Sequence, residues 1–191
     1  MRCLSCHKLS VETFCKTCHT NLLQASVSKR VVGNLEVYSF FKYQYIEDLL
    51  FTKHTPQGFQ VFKALAKLSF KPFMQKFMQE DERTIYVVGV DESVKSGYAH
   101  VALLTHEMKM KNVKVQHAKL MARNQVNYSG KKLQFRLENP RDFVYTGKKG
   151  VEVILVDDIV TTGTTLIEAV SVLRQSGVEV LFALTLAGVE P

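Results

Sequence analysis

Beyond Cys18 the chain has no cysteine, and in all its 191 residues it has only four. A disulfide framework spreads its cysteines along the chain and needs an oxidising compartment, so that class is excluded. No apolar run reaches the roughly 18 residues that a membrane helix needs. The opening Met-Arg-Cys-Leu-Ser-Cys has no apolar core of a secretory signal. A soluble, cytoplasmic protein is the expectation. No Gly-x4-Gly-Lys-Ser/Thr loop occurs, which sets aside P-loop nucleotide chemistry. Internal repeats and low-complexity tracts are missing too, so a solenoid is not expected. Acidic residues are scarce in one region. Residues 95–149 carry 12 basic and 3 acidic side chains, net +9, against net +3 for residues 1–94 (12 and 9) and net −5 for residues 150–191 (1 and 6). The middle alone exceeds the +7 of the whole chain, and that asymmetry points to an anionic partner, nucleic acid or phosphate.

Hydrophobic residues make up 46% and charged residues 23%, a globular composition that excludes wholesale disorder. The length fits one domain with a small appendage. Leu35–Phe41 reads as a strand, 43–51 as a short helix, and the Phe spacing of 58–79 as an amphipathic helix broken or kinked at Pro72. Thr84–Val90 reads as a buried strand, Gly97–Met110 as a helix and Val113–Val115 as a short strand. Residues 116–150 read as a long functional loop with room for a β-hairpin. Val151–Val156 is a strongly apolar strand, Thr164–Ser176 a helix stopped by Gly177, and Val178–Leu186 a last strand. Strands alternating with helices predict an α/β fold, a parallel sheet flanked by helices.

Cys3-x2-Cys6 and Cys15-x2-Cys18 stand eight residues apart. Two such knuckles can set four thiolates tetrahedrally around Zn²⁺ in a closed, structural site. About twenty residues this poor in large apolar side chains cannot build a core, and a structural zinc supplies on the order of 10–16 kcal/mol toward folding. Four bystander thiols and a redox pair are the alternatives, and His7 or His19 could replace a cysteine. The domain reading is a zinc-binding four-cysteine module over 1–22 and an α/β domain over 23–191.

The apolar run up to Val156 enters Asp157-Asp158-Ile159-Val160-Thr161-Thr162-Gly163-Thr164-Thr165 and then a helix. A strand end, a tight loop and a helix N-terminus together favour an anion. Gly163 lets the backbone approach a phosphate closely. Carboxylates beside a phosphate make sense if they hold Mg²⁺ or accept hydrogen bonds from sugar hydroxyls. In the basic middle, Lys109, Lys111, Lys114, Lys119, Arg123, Lys131, Lys132 and Arg136 interleave with Tyr128, Phe135, Phe143 and Tyr145. Bases with aromatics suit single-stranded DNA, by phosphate contacts and base stacking; a merely solvated surface is the alternative. His54, His106 and His117 read as surface residues.

The acidic strand end and Thr-Thr-Gly-Thr-Thr resemble the phosphoribosyl pyrophosphate (PRPP) loop of type I phosphoribosyltransferases. Joined to the cysteine knuckles, they make the chain similar to the ComF (ComFC) family of competence proteins. Phe41-Lys42-Tyr43, Gln125, Arg136 and Asn139 match that family loosely. The resemblance implies that Thr161, Thr162, Gly163, Thr164 and Thr165 cradle the 5′-phosphate. Asp157 and Asp158 would hold the ribose hydroxyls and help bind Mg²⁺, with Lys95 and Ser96 on a pyrophosphate turn. It also implies natural transformation: DNA uptake, single-stranded DNA binding, and a helicase-like competence partner at the inner face of the inner membrane. In phosphoribosyltransferases a lid closes from the middle of the chain, a role open to Arg123, Lys131, Lys132 or Arg136. The chain departs from the family at 91–96, where Asp-Glu-Ser-Val-Lys-Ser replaces an Arg-rich turn and Gly97-Tyr98-Ala99-His100 replaces Gly-Phe-Asn-Gln. An active phosphoribosyltransferase of nucleotide metabolism and a non-catalytic PRPP sensor are the competing expectations. No catalytic residue is assigned.

Overall fold

The computed structural model describes every residue except 91–93, 95–96, 125, 127–131 and 190–191, and only the backbone of 133, 136 and 137. Among the described residues the chain builds a six-stranded sheet from β1 (Ser28–Val32), β2 (Leu35–Lys42), β3 (Ile85–Gly89), β4 (Val113–Gln116), β7 (Glu152–Val160) and β8 (Glu179–Gly188). Their order is β1-β2-β8-β7-β3-β4, parallel throughout except for the β1–β2 hairpin. The central strands are buried on both faces, which is why β3 and the first half of β7 read as unbroken apolar runs.

One face is covered by α2 (Tyr43–Phe51), α3 (Pro56–Leu68), α4 (Phe70–Phe77) and α5 (His100–His106). Phe40, Phe62, Phe70, Leu104 and Ile154 are its core. Cys3, Phe14, Cys18 and Leu23 belong to the same buried cluster, so the cysteine segment with α1 (Lys16–Asn21) packs on this face. The other face carries α7 (Thr164–Gln175) through Leu166, Ala169, Val170 and Leu173. Beside it lies a two-stranded antiparallel ribbon, β5 (Leu120–Ala122) with β6 (Phe143–Tyr145), whose connection holds α6 (Leu133–Glu138).

The parallel α/β expectation holds, and several details change. Strand β1 escapes a reading by apolar pattern, because Lys29 and Arg30 lie within it; as an edge strand it tolerates both. The long 58–79 helix breaks at Ser69, not Pro72. Ser69 leaves the helical region and its Oγ donates to the Leu65 carbonyl. Pro72 is the third residue of α4, where a missing N–H costs no helix bond. Helix α5 is shorter than Gly97–Met110. The 116–150 segment carries the antiparallel pair β5–β6, for which the sequence left room, and among its described residues Tyr145 Oη donates to Gln116 Oε1 (3.3 Å).

Candidate functional site

Strand β7 runs four residues past the expected Val156, so Asp157 and Asp158 lie within it. On one side Asp157 pairs with Thr185 of β8 and Val160 with Gly188, while β3 stops opposite Val156 at Gly89. Alternation along the strand sends the two carboxylates to opposite faces. Asp157 shares the row of Thr185, whose hydroxyl is bonded to Ser39 across β2–β8 (2.7 Å). Asp158 faces the helical layer. Both are under one-tenth exposed, 8% and 7%. Each also accepts the backbone N–H of the next residue at 2.8 Å, which fixes its rotamer.

Asp158 is the charged centre of the site. Its Oδ2 takes the Lys53 ammonium at 3.0 Å and His100 Nε2 at 3.2 Å. Burial alone would push this carboxyl up; Lys53 first and then His100 outweigh it and hold the group well below the usual carboxylate range. Lys53 stands on the 3-10 turn Thr52–His54 between α2 and α3, and His100 opens α5. The His100 ring meets Phe62 edge to face, centroids 5.5 Å apart.

After Val160 the chain turns through exposed Thr161 and Thr162 into Gly163, the N-cap of α7. Gly163 has φ of +79°, and a Cβ there would fall 2.2 Å from Val32 Cγ1. Both facts require glycine. The hydroxyls of Thr162 and Thr164 lie 2.9 Å apart, and no acid stands in the first turn of α7. The positive end of a 12-residue helix is therefore left for an anion. Arg30 of β1 braces the loop, its Nη2 donating to the Thr161 carbonyl (2.6 Å) and its Nη1 to that of Val189 (3.1 Å).

The four cysteine sulfurs lie within 4.8 Å of one another. The Cys15 N–H points at Cys3 Sγ (3.2 Å), and Cys6 and Cys15 sulfurs are 3.6 Å apart. Burial raises the Cys3 thiol, but the backbone N–H groups of Cys6, Cys15 and Ser5 outweigh it and bring it down to about 6. At Cys18 a hydrogen bond with Ser5 lowers the value, yet burial and the other three thiols push it up to about 12. Four sulfurs so close cannot all ionise without a cation, and the cluster fits Zn²⁺.

The sequence reading thus brought Asp157, Asp158 and Thr161–Thr165 to one end of β7. It missed Lys53, His100 and Arg30, which reach the site from far along the chain. Lys109, Lys111, Lys114, Lys119, Arg123 and Lys132 are exposed; Lys114 lies on edge strand β4, Lys109 and Lys111 in the connection leading into it, Lys119 between β4 and β5, and Arg123 just after β5 of the separate ribbon. Lys95, Ser96, Gln125 and Lys131, and the side chain of Arg136, lie outside the described residues. His54, His106 and His117 are exposed, as expected. Among the described residues no helix is long and apolar enough to cross a membrane.

Residues 74–189 match the family model described as phosphoribosyl transferase domain. The chain belongs to that family. The match begins within α4, so the cysteine module and Lys53 lie ahead of it. Similar solved structures include an adenine phosphoribosyltransferase (16% identity, 90% of this chain and 89% of that one, TM-score 0.44). The adenine phosphoribosyltransferase of Saccharomyces cerevisiae gives 16%, 90%, 90% and 0.42. Leishmania donovani UMP synthase gives 20% identity and a TM-score of 0.40 over 74% of this chain; the chain spans only 24% of that enzyme's length. A comparison with curated proteins gives no match. The assignment rests on the family model.

Two outcomes follow. Purified protein is expected to carry one zinc per chain by elemental analysis, and Cys15→Ala to lose it and to melt at lower temperature; a metal-free wild type with an unchanged melt contradicts the site. Asp158→Asn removes the carboxylate charge of the Lys53–Asp158 pair and is expected to cost about 1–3 kcal/mol, less than a fully buried pair because Lys53 meets water. The folded carboxyl titrates below its unfolded value of roughly 3.9. Its contribution is therefore complete above that pH and is lost as pH falls through the folded value. Denaturant melts should show the wild-type advantage constant at neutral pH and shrinking below about pH 4; an advantage that grows on acidification contradicts the pairing.

Proposed function

We propose that the domain binds PRPP at the β7–α7 loop and that the protein is a ComF-like DNA-uptake factor of natural transformation. The observation that carries the PRPP reading is the unopposed N-terminus of α7, entered through a Thr-Gly loop beside a buried acid pair. Thr161–Thr165 would take the 5′-phosphate, and Asp157 and Asp158 the ribose hydroxyls. Asp157 and Asp158 would together help to hold Mg²⁺ with the ligand's own phosphate oxygens, Asp158 keeping Lys53 and His100 on its Oδ2. Mg²⁺ there would neutralise charge on the diphosphate.

The DNA-uptake reading draws support from the four-cysteine module ahead of a phosphoribosyltransferase domain and from the exposed basic residues on β4 and in the connections on either side of it. Single-stranded DNA would run along that edge by phosphate contacts, and a helicase-like partner would receive it at the inner membrane face. Lys114 on edge strand β4 also guards that edge against pairing with another sheet, so an exposed lysine there does not by itself decide for DNA. Family membership favours a second reading, an active phosphoribosyltransferase of nucleotide metabolism, over a non-catalytic sensor; pyrophosphate release with ammonia or a base as acceptor separates the two.

Fluorescence anisotropy of a labelled oligonucleotide is expected to show binding whose log affinity falls with log salt, by roughly 0.7 per phosphate contact, and Lys111→Ala/Lys114→Ala should flatten that slope. Binding that ignores salt, or none at low salt, contradicts the DNA reading and leaves the enzyme.

A further inference from the structure

Phe143 and Tyr145, expected as stacking rings beside the basic middle of the chain, are buried. Among the described residues the exposed aromatic side chains are Tyr45, Phe51 and Phe59, and all three lie on α2 and α3. Phe51 is 66% and Phe59 37% exposed. The helical layer therefore presents the rings, and it also has a charge pattern that a count over residues 1–94 hides. Residues 49–79 hold five lysines and no acidic residue.

On α3 the buried positions Val61, Phe62, Leu65 and Ala66 face the core. Phe59, Lys63 and Lys67 recur every fourth residue on another side, a row about 12 Å long. Helix α4 continues the basic face with Lys71 and Lys76. None of Lys63, Lys67, Lys71 and Lys76 pairs with a carboxylate among the described residues. Like charges four apart work against a helix, and a merely solvated face intersperses acids among its bases. Lys63 Nζ lies over the Phe59 ring, 5.9 Å from its centroid, and Tyr98 meets the same ring edge to face at 5.8 Å. A ring with an ammonium beside it offers one nucleotide both a stacking partner and a phosphate contact. A lipid surface asks for a broad apolar face, and residues 43–79 expose no large aliphatic side chain.

Building on the DNA reading, we propose that the outer face of α3, flanked by Phe51 and α4, is a stacking platform for single-stranded nucleic acid. Bases lie on Phe51 and Phe59, and Lys63, Lys67 and Lys71 hold the phosphates. The platform supplies the ring contacts that buried Phe143 and Tyr145 cannot give.

The chain has no tryptophan, so Phe51→Trp and, in a second protein, Phe59→Trp place a single reporter on the platform. Each full-length, zinc-loaded protein is titrated with an oligothymidylate of about 20 nucleotides, long enough for one such site, and with an abasic strand of equal length. The reporter emission should be quenched with the midpoint that anisotropy gives, while a control Val11→Trp on the cysteine segment keeps its emission. Phe59→Leu should weaken the oligothymidylate by about fivefold or more, the scale of one stacked base, and the abasic strand by less than about twofold. Lys67→Gln/Lys71→Gln should weaken both strands and lower the salt slope by about 0.7 per lysine removed. A thermal melt reports folding, and Phe51→Leu replaces Phe59→Leu if that variant does not fold. Binding that leaves both reporters unquenched, or equal weakening of the two strands by Phe59→Leu, overturns the platform alone. Polyglutamate that displaces the oligothymidylate at equal charge marks a surface that reads charge only, and overturns it too. Wild-type protein that binds neither strand overturns the DNA reading itself.

Discussion

The buried carboxylate of Asp158 draws three distant parts of the chain together. Lys53 comes from the turn after α2, His100 from the first residue of α5, and the acid from the central strand β7. Without the Lys53 ammonium and the His100 ring at that depth the carboxylate would bear the whole cost of leaving water. With them, the helical layer is pinned over the carboxyl end of the sheet. Parallel sheets open their ligand crevice at that end, so the same contact that anchors the layer also sets the charge of the site.

Around this anchor the division of labour follows from strand alternation. Asp157 and Asp158 are neighbours in sequence and occupy opposite faces, one in the row of Thr185 and one against the 3-10 turn and α5. The loop that follows is held by strand β1, through Arg30 on the Thr161 carbonyl and Val32 against Gly163. The cysteine segment is part of the same core, packed with Phe14 and Leu23 on the helical face. The four-cysteine cluster and the Thr-Gly loop therefore share one scaffold.

Much of this was legible where the information is local. The two cysteine knuckles, the apolar run of β7, the Thr-Gly turn and the helix after it are contiguous in sequence, and each has one cheap physical reading. What could not be read depends on chain pairs far apart. Lys53 lies 105 residues from Asp158, and nothing in Thr-Lys-His announces an ion pair. Edge strand β1 carries Lys29 and Arg30 in place of an apolar alternation, and so resembles a loop. Pro72 is the expected helix breaker, yet a Ser69 hydroxyl turned back on Leu65 makes the break.

The central claim is that the N-terminus of α7 and the loop before it bind the 5′-phosphate of a phosphoribosyl ligand. A crystal structure of the full-length protein with ribose 5-phosphate tests it most directly. The account predicts the phosphate within hydrogen-bond distance of the backbone N–H groups of Thr161–Thr165, with the ribose turned toward Asp157 and Asp158. A phosphate seated instead on the lysines along β4, with the Thr-Gly loop empty, would contradict it.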